Sequence, residues 1–360
     1  MEDPPQWFSL PVPHVQALAA SLDGATNIPE RYIRPEAEAD PVADDDEGTV
    51  KIPVIDLGQA QLSPEESAKL GLACEQWGFF QLINHGVPTE LVEKIKMDIV
   101  EFFKLPIEEK EAFAQIPDNS YNGYGQIFVK SEDQKLEWGD MIALDTLPLK
   151  IRKMRFWPTY PPSFRDDLDA YASELKKVTN CLLRLMAENL GVEPEIMMNN
   201  FKDMQQSIRA NYYPPCPKAD KVFGISPHSD ATGLTILLQA NDVEGLQIRN
   251  NGVWFPVKPL PGTFVVNVGD LLEIFSNGKY KSIEHRVIVN TEKERLALAT
   301  FHGPDKNCIL RPLPQLVKGG AENYMASTHE DYTKGYFSKK LDGKSHLESV
   351  KLRELMQNMQ

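Results

Sequence analysis

His228, Asp230 and His285 are the residues whose types and spacing bear most directly on chemistry. His228 and Asp230 stand two apart in Pro227-His228-Ser229-Asp230, so on a β-strand their side chains leave the same face. His285 lies inside the run Ser282-Ile283-Glu284-His285-Arg286-Val287-Ile288-Val289, which reads as a second strand. Two imidazoles and one carboxylate on one side of a metal, with adjacent positions open, suit a non-haem Fe(II) that activates oxygen. A Cys-rich set would favour zinc. By itself a His-x-Asp triplet is more often an ordinary hydrogen-bonded pair, and a zinc or structural site can use the same residue types.

The neighbouring residues narrow the choice. Arg295 stands in Glu294-Arg295-Leu296-Ala297-Leu298-Ala299-Thr300-Phe301, and upstream is Asn211-Tyr212-Tyr213-Pro214-Pro215-Cys216-Pro217. With these motifs the sequence resembles the plant 2-oxoglutarate- and Fe(II)-dependent dioxygenases. The likeness takes in Ile52-Pro53-Val54-Ile55-Asp56-Leu57 and the stretch 77–87, WGFFQLINHGV. Ile28-Pro29-Glu30-Arg31-Tyr32-Ile33 and Ser131-Glu132-Asp133-Gln134-Lys135-Leu136 are similar to one branch of that family. The branch holds senescence-related oxidases, alkaloid O-demethylases and the strigolactone-pathway lateral branching oxidoreductase.

The resemblance implies a mainly β protein with flanking helices. Its core is a double-stranded β-helix (jelly roll), with an α-helical N-terminal region and C-terminal helices. It also implies Fe(II) on His228, Asp230 and His285, 2-oxoglutarate as cosubstrate, O2 as oxidant and ascorbate as reductant. Arg295 would hold the distal carboxylate, with Tyr213 as a neutral donor and Asn211 near the metal-bound end. The planar guanidinium fork suits a carboxylate. Leu296, Leu298 and Ala299 around Arg295 argue against a surface ion pair, and a buried unpaired Arg is costly. The implied reaction hydroxylates, or O-demethylates, a small plant metabolite or hormone and releases succinate and CO2.

One position departs from the family. The family pattern is Arg-x-Ser, and here the third residue is Ala297. One hydrogen bond to a charged group is then missing, an expected loss of roughly 1.5–3 kcal/mol in cosubstrate binding. The departure leaves open a different 2-oxo acid, or a barrel that binds a small molecule without turnover. A zinc hydrolase on the same ligands lacks an obvious general base.

Four residues are candidates for substrate contact, each with core packing as the alternative. Tyr124 and Phe128 lie in a glycine- and aromatic-rich segment, 121–129, that resembles the family's substrate loop. Arg209 shares a strand face with Asn211, and Phe301 lies past Arg295 on the same run. The stretch from Trp138 to Leu144 is expected to border the pocket. His85 in Asn84-His85-Gly86 is read as a structural turn residue.

The elements that position these groups follow from periodicity. Helices are expected over 12–22, from Ser63 to about Trp77, over 87–103 and 107–113, and over 163–190 and 193–201. Short strands with turn signals follow from Ser207, including a buried run at 263–270. Helices are expected again over 321–337 and 345–357. The division expected is an N-terminal helix and acidic loop (1–50), a mixed α/β region (51–204), the jelly-roll core (205–310) and a helical tail (311–360).

Composition sets the outer bounds. Lys and Arg number 38 against 52 Asp and Glu, a net charge of −14 that argues against a phosphate-backbone ligand. The acidic stretch from Glu36 to Gly48 reads as a solvated loop. Four cysteines without Cys-x-x-Cys spacing fit reduced thiols. No secretory leader or membrane-spanning apolar run is evident, so a soluble cytoplasmic monomer with a small-molecule substrate is expected.

Overall fold

A computed structural model describes residues 9–22, 27–37, 42–43, 52–116, 121–317 and 320–352. Most of the acidic stretch from 36 to 48, and the tail beyond 352, lie outside the described residues.

Helix α1 (Val15–Ser21) is capped from far along the chain. Asp140 accepts from Val15 N at 2.9 Å and Gln16 N at 2.8 Å, which satisfies first-turn amides that have no helical partner. Strand β1 (Val54–Asp56) and helix α2 (Leu57–Ala60) lead into α3 (Pro64–Gln76). Ser63 Oγ accepts from Glu66 N at 3.4 Å and so caps the helix. The reciprocal half of the capping box does not form, because Glu66 accepts instead from Asp56 N at 3.0 Å. Gly78 then breaks the helix at φ +60°; a Cβ there would meet Lys281 O at 2.0 Å.

Strand β2 (Phe79–Ile83), helices α4 (Thr89–Lys104) and α5 (Ile107–Glu111), and strands β3 (Gly123–Gly125) and β4 (Asp140–Leu147) follow. Helix α6 (Phe164–Leu190) carries the long apolar stripe and ends on Gly191 at φ +71°; α7 (Pro194–Asn200) is short. Next come β5 (Gln205–Tyr213), β6 (Ile225–His228), β7 (Leu234–Gln239), β8 (Leu246–Asn250), β9 (Val253–Pro256) and β10 (Phe264–Val268). Helix α8 (Asp270–Phe275) separates β10 from β11 (His285–Val287) and β12 (Arg295–Gly303). The chain closes with β13 (Ile309–Leu310), β14 (Ser327–Thr328), α9 (His329–Phe337) and α10 (Ser345–Glu348). The helix expected over 321–337 is therefore only its second half. Thr328 caps it, accepting from Asp331 N at 3.0 Å, and the residues just before pair as a strand.

Two sheets make the jelly roll. The larger has the order β1-β2-β10-β7-β12-β5-β4-β3 and the smaller β6-β11-β8-β9. Strand alternation splits the large sheet into two faces. Leu296 and Leu298 on β12, and Ile208 and Ala210 on β5, join one apolar layer with α3, α4 and α6. Each of the three larger side chains, Leu296, Leu298 and Ile208, contributes about 1.5–3 kcal/mol by leaving water. Their alternates, Arg295, Ala297, Ala299 and Phe301 on β12 and Arg209, Asn211 and Tyr213 on β5, line a cavity on the opposite face.

Candidate active site

His228 ends β6, His285 begins β11, and the two are direct antiparallel partners. Facing partners put their side chains on one side, and the imidazole centroids lie 4.2 Å apart. Asp230 follows in the turn. Its Oδ1 is 3.5 Å from His228 Nε2 and 3.6 Å from His285 Nε2. The three ligand-type atoms fall within 4.8 Å of one another, the single such group of three among the described residues.

The outer contacts explain why these atoms point inward. His228 Nδ1 lies 2.8 Å from Ser226 O and His285 Nδ1 lies 3.1 Å from Ile283 O. A carbonyl only accepts, so each Nδ1 carries a proton and each Nε2 is the nitrogen turned to the centre. Asp230 Oδ2 accepts from Thr235 Oγ1 at 2.7 Å and Asn267 Nδ2 at 2.8 Å, leaving Oδ1 for the centre. Burial, reinforced by His285, pushes His228 well below the ordinary histidine range. Burial alone would raise Asp230, but the two imidazoles and the Thr235 and Asn267 hydrogen bonds hold it below the usual carboxylate range. Two imidazoles and one carboxylate, oriented by outer hydrogen bonds, fit a divalent metal with open positions.

From this triad a cavity of about 40 Å³ reaches Arg295. Arg295 is 1% exposed and has no carboxylate partner among the described residues. Its Nη2 donates to Gln239 Oε1 at 3.3 Å, its guanidinium carbon is 5.4 Å from the Tyr213 ring centroid, and its Nε has no partner. Gly245 makes room for it, since a Cβ there would come 2.8 Å from Arg295 Cδ. Burial pulls the Arg295 pKa below its ordinary value. A fully buried cation is costly, and no carboxylate among the described residues offsets this one. Asn211 and Ala297 line the same cavity.

A second cavity of about 300 Å³ opens on the other side of His228 and Asp230. Phe128, Arg209 and Phe301 line it, with the Arg209 guanidinium carbon 5.2 Å from the Phe301 ring. Phe128 holds φ +68°, an uncommon conformation for a bulky residue.

Tyr124 does not line either cavity. It pairs with Ile142 across β3–β4 and so shares the apolar layer, stacked on His14 at 4.8 Å; the next residue on β4, Ala143, is the one that reaches the large cavity. Trp138 is buried with its Nε1 donating to Pro214 O at 3.1 Å. His85 keeps its structural role, accepting from Val87 N at 3.2 Å. Sequence reasoning missed Thr235, Asn267, Tyr336 and Phe337, and within the segment 121–129 it singled out Tyr124 where Tyr121 lines the cavity. Thr235 and Asn267 carried a signal, polar residues inside otherwise apolar strands; Tyr336 and Phe337 are joined to the site only by distant folding.

Comparison with known proteins agrees with this geometry. Residues 204–304 match the 2OG-Fe(II) oxygenase superfamily, and residues 52–160 match the N-terminal region of the non-haem dioxygenases in morphine synthesis. The rice (Oryza sativa subsp. japonica) 2-oxoglutarate-dependent dioxygenase 11 is 50% identical over 96% of this chain and 97% of its own length. The chain belongs to the 2-oxoglutarate- and Fe(II)-dependent dioxygenase family. Protein SRG1 of Arabidopsis thaliana is 45% identical, covering 96% of this chain and 98% of its own. Codeine O-demethylase of Papaver somniferum is 43% identical, covering 95% and 97%. The crystal structure of JOX2 in complex with 2OG, Fe and JA superposes with a TM-score of 0.87 at 37% identity, over 95% of this chain and 98% of that one. The chain is thus an oxidoreductase with a jelly-roll core.

Proposed function

We propose that His228, Asp230 and His285 hold the Fe(II), and that Arg295 with Tyr213 and Asn211 seats 2-oxoglutarate beside it. The enzyme then oxidises a C–H bond of a small plant specialised metabolite or hormone. The observation that carries this reading is Arg295, a buried guanidinium without a counter-ion in the cavity that begins at the triad. When bound, Fe(II) supplies the oxygen chemistry: substrate C–H, O2 and 2-oxoglutarate become C–OH, succinate and CO2. On a methoxy carbon the hydroxylated product loses formaldehyde, which is O-demethylation.

The chain's own residues do the rest. Asp230 contributes the one negative charge of the ligand set, fixed by Thr235 and Asn267. Arg295 neutralises the distal carboxylate, and the Tyr213 hydroxyl adds a neutral donor. Phe128, Phe301 and the aromatic wall around them exclude water and favour a mainly apolar substrate, while Arg209 offers one polar contact. No helix among the described residues is long and apolar enough to cross a membrane. We read the protein as a cytoplasmic monomer that uses ascorbate to keep its iron reduced. In this reading 205–310 holds the metal and cosubstrate ligands, and Tyr121, Phe128, Ala143, Tyr336 and Phe337 from outside it complete the substrate cavity.

The test is a metabolite screen with Fe(II), 2-oxoglutarate and ascorbate, scored by succinate. Succinate formation that needs a metabolite and is lost in Asp230→Ala is expected; its absence across the screen, together with no iron uptake, contradicts the proposal. Ala297 favours one second reading, a small-molecule-binding member with weakened cosubstrate anchoring. That reading predicts iron uptake without any decay of 2-oxoglutarate.

A further inference from the structure

The C-terminal segment does more than cover the large cavity. Thr333, Tyr336 and Phe337 on α9 line it. The Phe337 ring lies between Tyr121 and Phe128, at 5.4 and 5.2 Å, each pair within 8° of parallel. Tyr336 meets Phe128 edge-on at 5.6 Å. Its hydroxyl then leaves this aromatic group and donates to Ser229 O at 2.8 Å. Ser229 is the residue between His228 and Asp230.

Further along, Gly343 N donates to Pro227 O at 2.9 Å, and Gly343 O accepts from Ser229 N at 3.3 Å. The turn that carries two of the three ligands is therefore hydrogen-bonded on one side to the C-terminal segment. On the other side Asp270 N donates to Asp230 O at 2.8 Å. The segment is itself anchored on α8. Tyr332 Oη donates to Asp270 Oδ2 at 2.8 Å, Tyr324 Oη to Glu273 Oε1 at 2.8 Å, and Lys344 Nζ to Glu273 Oε2 at 3.1 Å. Both carboxylates are buried, so these contacts are shielded from solvent.

We propose that Tyr336 is a positioning residue that ties the wall of the substrate cavity to the metal-ligand turn. The inference rests on the reading of His228, Asp230 and His285 as ligands. Any molecule that enters the cavity meets the Tyr121–Phe337–Phe128 stack and the Tyr336 ring. A displacement of that ring moves the hydroxyl against the backbone between His228 and Asp230. Metal geometry and cavity occupancy are thereby linked through one side chain.

The experiment measures Mn(II) binding to the full, metal-free chain by the loss of the free-ion EPR signal, with thermal stability alongside. Tyr336→Phe removes only the hydroxyl and is expected to weaken Mn(II) binding about three- to tenfold, the span of one neutral hydrogen bond. Tyr280→Phe loses a comparable buried hydroxyl-to-carbonyl hydrogen bond, to Met186 O at 2.8 Å, that does not touch the turn. It is expected to lower the melting temperature while leaving Mn(II) affinity within about twofold of wild type. Phe337→Ala, whose ring touches none of the ligands, is expected to weaken Mn(II) binding in the same direction as Tyr336→Phe. Wild-type affinity in Tyr336→Phe, equal losses in Tyr336→Phe and Tyr280→Phe, or no effect of Phe337→Ala overturns the inference while leaving the ligand assignment standing. If wild type takes up no Mn(II), or Asp230→Ala binds it as well, the ligand assignment fails and the inference fails with it.

Discussion

Ala297→Ser is predicted to tighten 2-oxoglutarate binding about tenfold. Ala297 is buried, lines the cavity that contains Arg295, and stands two residues from it on the same face of β12. A serine there adds one hydroxyl without changing the backbone. In the complex it donates to the distal carboxylate. A hydrogen bond to a charged group contributes about 1.5–3 kcal/mol. The lower end applies because Arg295 and Tyr213 already share that carboxylate, and about 1.4 kcal/mol is a factor of ten. The assay is calorimetric titration of the Mn(II)-loaded protein under argon. 2-Oxobutyrate, which chelates metal but has no distal carboxylate, serves as control and should bind equally to both proteins. Unchanged or weaker 2-oxoglutarate binding refutes the argument, and so does an equal gain for 2-oxobutyrate.

Other outcomes follow from the same geometry. Arg295→Gln should raise the melting temperature of the ligand-free protein, because an uncompensated buried charge is removed, and should weaken 2-oxoglutarate binding at least a hundredfold (about 2.7 kcal/mol or more); a calorimetric scan and a titration separate the two effects. Asn267→Leu removes one of the two hydrogen bonds that hold Asp230 Oδ2 and should weaken Mn(II) binding about tenfold, read by EPR. Mn(II) at about one hundred times its dissociation constant should stabilise the fold by about 2.7 kcal/mol, seen as an upward melting shift that a chelator reverses. Phe128→Ala should raise the KM of any substrate found by the screen, whereas Tyr124→Phe should leave KM unchanged, since Tyr124 packs in the apolar layer.

What could be read from the chain differs by element. His228 and Asp230 were legible from their types and spacing, although the shared strand face expected for them is not what joins them: β6 ends at His228 and Asp230 sits in the turn that follows. Arg295 was legible from its apolar neighbours, and the strand-rich stretch from Gln205 onward from its turns. Tyr124 and Phe128 were not separable, because a glycine-rich segment sets no register by itself. The pairing of β3 with β4 turns Tyr124 to the core, whereas Phe128 lies beyond that pairing, at φ +68°, and reaches the cavity. Tyr336 carried no local signal. Its partner, Ser229, lies across the whole jelly roll, and only the anchoring of the C-terminal segment on Asp270 and Glu273 brings the two together. The helix start at Thr328 was also hidden, because the capping residue competes with a strand pairing to Ile309 that sequence spacing does not show.

The most direct test loads the metal-free protein anaerobically with Fe(II) and then titrates 2-oxoglutarate, following the visible charge-transfer absorption of a 2-oxo acid chelated to ferrous iron. One iron per chain and a band that saturates at one 2-oxoglutarate are predicted, with the band absent in Asp230→Ala and displaced to far higher cosubstrate concentration in Arg295→Gln. Iron uptake without a band, or a band that survives Asp230→Ala, would contradict the placement of both partners in this cavity.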